Sequence, residues 1–81
     1  MKGTVFRMNV NRDMIALKVD ENDFTIIEAS SDDFQLHDVV SWDAQEGLGS
    51  GEVYNESQGE TVDVIFQNHN VLSSRLSRLL F

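Results

Sequence analysis

The sequence predicts an all-β fold: a small five-stranded barrel, with residues 61–66 available as a sixth strand, and a short C-terminal helix. Three observations point there. Short β-branched and aromatic segments alternate with polar turn residues through the first half of the chain. The 81 residues include no proline and no cysteine, so neither a disulfide framework nor a Cys-based zinc site builds the core. The hydrophobic period turns helical only after residue 70.

Each element follows from its residues. Residues 4–9 mix Thr4, Val5 and Phe6 with polar partners and read as a first strand. Residues 10–13 are a polar connection rich in turn formers. Residues 14–19 form a second strand, with Ile15, Leu17 and Val19 on one face at period two. Asp20-Glu21-Asn22-Asp23 is a hairpin turn, and residues 24–28 are a third strand with Phe24 and Ile26 expected inward. Three strands joined by tight turns make a meander. Residues 37–43 are a fourth strand whose Val40 and Trp42 share a face. A glycine-rich loop at 46–51 and a short extended piece at 52–55 follow. Residues 61–66 place Val62, Val64 and Phe66 on one side. In the tail, Leu72, Leu76, Leu79 and Leu80 carry helical spacing, which predicts a helix over 71–80 capped by Asn68 or Asn70. A helix that short is unstable alone, so its leucine stripe docks on its own barrel or on a partner. The chain reads as one domain, 1–81, with 57–81 as a C-terminal extension of strand plus helix.

The net charge of −8 is unevenly spread. Residues 1–18 hold Lys2, Arg7, Arg12 and Lys18 against one acid, Asp13. Residues 19–70 hold thirteen acids and no Lys or Arg. Arg75 and Arg78 lie in the tail. Such segregation bears on long-range fields and partners, not on fold. No apolar run approaches the roughly 20 residues that span a bilayer, and the start lacks a secretory signal. The expectation is a cytoplasmic protein, without a membrane role, that is a monomer or homodimer.

Lys2-Gly3-Thr4-Val5 through Asn9 resembles the opening strand of cold-shock domains. The segment from Val40-Ser41-Trp42 through Gly47-Leu48-Gly49-Ser50-Gly51 to Asn55 resembles their fourth strand, glycine loop and fifth strand. Order and spacing match over residues 1–56. The resemblance implies an OB-like barrel that binds single-stranded nucleic acid by stacking bases on surface aromatics. The functional positions depart from it. The family's strand-one Trp-Phe pair falls on Arg7 and Met8, and its second-strand aromatics are lost at Met14 and Ala16. Stacking contributes about 1–3 kcal/mol per base, so single-strand binding is expected to be weak at most.

The candidate nucleic-acid face is therefore Arg7, Arg12 and Lys18 above an apolar floor of Met8, Met14 and Ile27. The alternative is a protein-interaction module that uses the acidic surface or a tail contact at Leu72, Leu76, Leu79 and Phe81. No enzyme is expected. His37 and His69 lack metal-site spacing. Asp20-Glu21-Asn22-Asp23 lacks the glycine and glutamate of a calcium loop. Gly47-x-Gly49-x-Gly51 lacks the Lys-Ser/Thr of a phosphate loop. No cofactor or metal is expected.

Overall fold

The computed structural model describes residues 1–81. Six strands close into an antiparallel barrel: β1 (Lys2–Asn9), β2 (Met14–Asp20), β3 (Asp23–Glu28), β4 (Val39–Ser41), β5 (Gly49–Asn55) and β6 (Glu60–Val71). The order around the barrel is β1-β2-β3-β6-β5-β4, and β4 returns to pair with β1. One short helix, α1 (Leu76–Leu80), follows β6. This is the expected small all-β barrel with a C-terminal helix, and the reserve sixth strand is present. It is no appendage, because β6 lies between β3 and β5 and completes the wall.

Side-chain parity fills the interior. Val5 on β1, Ile15 and Leu17 on β2, Ile27 on β3, Val40 on β4, Val53 on β5 and Val62, Val64 and Phe66 on β6 share one buried cluster with Phe34 and Trp42. Phe66 needs space that a larger residue at 51 would take, since a Cβ on Gly51 would lie 2.7 Å from its ring. Asp20 pairs with Asp23 across the two-residue turn Glu21-Asn22, as the hairpin reading requires.

A second apolar cluster lies outside the barrel. Met14, Ala16, Phe24, Ile26 and Val71 face away from the interior and are covered by Leu76 and Leu80 of α1. This corrects the third strand: Phe24 and Ile26 point outward and Ile27 inward. The pairings Ala16 with Ile26 and Ile15 with Ile27 fix that parity. Each buried leucine contributes about 1.5–3 kcal/mol before ordering entropy is subtracted.

The tail helix is shorter than its leucine spacing predicts. β6 runs on to Val71 and absorbs Asn68 and Asn70, so neither caps a helix; Asn70 takes a positive φ of 55° near the strand end. A 3-10 turn at Ser73–Arg75 then leads into α1. The backbone N–H of Ser73 donates to Oδ1 of Asn22 in the β2–β3 turn, at 2.7 Å, which anchors the start of the segment.

A polar clamp joins the residue before β4 to the end of β5. Asp38 Oδ2 accepts from the Gln35 backbone N–H (2.9 Å), the Asn55 amide (2.9 Å) and the Gln58 amide (3.2 Å). Asn55 is fully buried and also donates to the Asp33 carbonyl at 3.1 Å. Burial works to raise the Asp38 pKa, but hydrogen bonds from Asn55, Gln35 and Gln58 outweigh it and hold it below the ordinary 3.8.

Candidate binding face

The outer surface of β1, β2 and β3 carries the basic residues singled out from sequence. Register places Arg7 beside Ala16 and Lys18 beside Phe24, both outward-facing positions. Arg12 lies in the 3-10 turn Val10–Arg12 between β1 and β2. The ladder is irregular between Val5 and Arg7, leaving Phe6 without a partner on β2. Such a bulge lets two successive side chains face the same way. Phe6 and Arg7 are accordingly both outward. The Phe6 ring is 42% exposed and lies 5.2 Å from that of Phe24, with Lys18 Nζ 5.6 Å from its centroid. Lys18 also pairs loosely with Glu21 at 3.9 Å.

The apolar floor differs from the expected one. Of Met8, Met14 and Ile27, only Met14 belongs to the outer face, and α1 buries it. Met8 packs against the barrel core and Ile27 lies within it. The actual floor is Met14, Ala16, Phe24 and Ile26.

The tail residues also divide. Leu76 is buried in its own barrel's outer cluster and offers no contact to a partner, and Leu79 is half-buried against the same cluster. Leu72 and Phe81 remain exposed. The segment is held by the very residues of the basic face. Arg12 donates to the carbonyl oxygens of Leu80 (3.4 Å) and Phe81 (3.1 Å), and the Asn9 amide donates to Leu80 O at 2.7 Å. The Arg7 guanidinium sits 5.0 Å from the Phe81 ring centroid and donates to the Ser77 hydroxyl at 3.4 Å.

Arg75 and Arg78 ride on this segment, exposed. Five of the six cations in the chain thus belong to one side of the barrel or to the segment covering it. The sixth, Lys2, pairs with Glu56 at 3.4 Å.

The other side is acidic. Glu52 and Asp63 face each other across β5 and β6, flanked by exposed Tyr54 and Ile65. A cavity of about 540 Å³ opens beside β4 and β5 and is lined by Trp42, Asp43, Glu46, Glu52 and Tyr54 among others. No group of three or more His, Asp or Glu side chains is arranged to hold a metal ion. His69 stacks on Phe66 at 5.3 Å and shares a 3.1 Å hydrogen bond with the Thr25 hydroxyl, while His37 is exposed in the β3–β4 connection. No helix is long and apolar enough to cross a membrane.

Sequence reasoning missed Phe6, Phe24 and Asn9 on this face. The signal for Phe24 was present: Met14–Leu17 and Phe24–Ile27 are nearly continuous apolar runs, the pattern of strands buried on both faces. The bulge that exposes Phe6 leaves no mark in a single sequence. No family model matches the chain, and no curated protein or solved structure matches it either.

Proposed function

We propose that this chain is a non-catalytic, cytoplasmic binding module of the cold-shock-like OB type, which takes single-stranded nucleic acid weakly on the outer side of β1–β3. The observation that carries this reading is charge segregation: Arg7, Arg12, Lys18, Arg75 and Arg78 lie on one side of a chain of net charge −8. A basic surface with a flat apolar contact is what a single strand needs, and Phe6 supplies one exposed ring beside Lys18. One ring and a few cations make a weak site. The acidic remainder of the barrel opposes phosphate, which restricts binding to this side.

Titration of the labelled chain with a short thymine-rich oligonucleotide at low salt tests this. The expected result is chemical-shift change at Phe6, Arg7 and Lys18 that fades with added salt and is reduced in Arg7→Ala. Unchanged spectra at millimolar oligonucleotide would overturn the reading. The second reading is a protein-interaction module, favoured by exposed Tyr54 and Ile65 on the acidic face of β5 and β6. The closed barrel leaves that module to work chiefly through side chains, since β-strand addition requires an open sheet edge.

A further inference from the structure

We propose that residues 72–81 are a displaceable cover, seated where the single strand would lie, and that the ligand gains its full site only when this segment lifts. The proposal rests on the reading of the basic face given above.

The cover satisfies that face with substitute chemistry. Arg12 and Asn9 direct their donors to backbone carbonyl oxygens of Leu80 and Phe81. These same donors suit phosphate oxygens. Arg7 lies over the ring of Phe81, a place that a nucleobase would fill equally well. Beneath the segment, Phe24 is 1% exposed, with Met14, Ala16 and Ile26 around it. With the segment docked, Phe6 is the only exposed ring on β1–β3. With it lifted, Phe24 joins Phe6 at a centroid distance of 5.2 Å, flanked by Arg7, Arg12 and Lys18. The site then has two rings and three cations, of which Arg7 and Arg12 are released from the segment.

The segment holds its shape only while docked. Its helix has five residues and no side-chain cap, so it does not persist once off the barrel. It also brings Arg75 and Arg78 onto a face that already carries three cations, a repulsion that a polyanion relieves. Docked and lifted states therefore differ in what they offer a ligand, as population shift requires. Apparent affinity is reduced by the fraction of molecules in the lifted state, so loosening the cover tightens binding.

The test uses the full chain, a short thymine-rich oligonucleotide and two variants. Phe81→Gly removes the ring over Arg7, and its side chain is 57% exposed, so the barrel core is untouched. Leu80→Ser loosens the buried seat. In the parent chain, the amides of Arg75 and Phe81, bonded to the Leu72 and Ser77 carbonyls, are expected to exchange faster with oligonucleotide bound. Phe81→Gly is expected to bind about threefold tighter and Leu80→Ser about tenfold or more. If Leu80→Ser fails to fold, Phe81→Gly and the exchange measurement decide alone. Binding at Phe6 and Lys18 with the Arg75 and Phe81 amides still protected, and no tightening in either variant, overturns the cover and leaves the proposed function standing. No binding by parent or variants removes the proposed function, and the cover with it.

Discussion

The two sides of this barrel solve the same problem differently. On β2 and β3, residues 14–17 and 24–27 are all buried, because interior packing covers one face and α1 the other. On β5 and β6, burial alternates along the strand, and the outward row of Ser50, Glu52, Tyr54, Asp63 and Ile65 meets solvent. The covered side is held by leucines on an apolar floor. The open side is held by barrel packing from within and by the Asp38–Asn55–Gln58 clamp at its end. An 81-residue chain has little interior, so a second apolar layer outside the wall is a way to gain burial.

The largest expected difference between the two sides comes from truncating one residue on each. Leu80→Ala opens a void in the outer cluster, where the side chain is fully buried, and should cost about 2–5 kcal/mol in denaturant unfolding. Ile65→Ala, on the open side, should stay within about 0.5 kcal/mol. Comparable losses would mean that the open face is covered in solution, for instance by a second copy.

Next in size is the clamp. Asp38→Ala leaves the buried Asn55 amide with the Asp33 carbonyl alone and should cost about 1–3 kcal/mol. Acid should act on the same spot. The folded Asp38 has a pKa below the ordinary 3.8, so its contribution is complete above that value and is lost as pH falls through and below it. Amide exchange at Gln35 and Gln58 should therefore quicken below pH 4 before exchange at Phe81 does. Simultaneous loss would show that the two sides unfold as one cooperative unit.

The Asn22→Ala substitution frees the Ser73 N–H and should cost about 1 kcal/mol, as loss of a helix cap does. That effect should be confined to the covered side. The smallest expected effect is on salt dependence. Binding through Arg7, Arg12 and Lys18 alone gives a slope of at most about −2 in log affinity against log salt, at roughly −0.7 per phosphate. Participation of Arg75 and Arg78 would take it to about −3.5.

Much of this was legible in the residues. Period-two spacing put Ile15 and Leu17 on one face, which proves to be the inward one, and the turn formers of residues 20–23 marked the hairpin. The leucine spacing indicated that Leu76 and Leu80 share a face. It could not show where the helix starts, because β6 pairs with β3 as far as Val71 and tertiary hydrogen bonding overrides local spacing. Ile27 was misplaced for a related reason. In a strand buried on both faces every position looks like core, and parity comes only from pairing with β2. The cations of the candidate face were readable as a cluster. Their attachment to Leu80 and Phe81, some 68 to 71 residues away in the chain, was not.

The pairing of β3 with β6 has a consequence for synthesis. A ribosome delivers β1, β2 and β3 first, and these can form a meander at once from local contacts. Closure waits for residues 60–71, and the outer seat waits for α1 after that. Until then β3 is a free edge with Phe24, Ile26 and Ile27 bare on both faces, the arrangement most prone to intermolecular pairing. Released fragments ending before residue 60 should therefore engage holdase chaperones, and the chain of residues 1–81 should not.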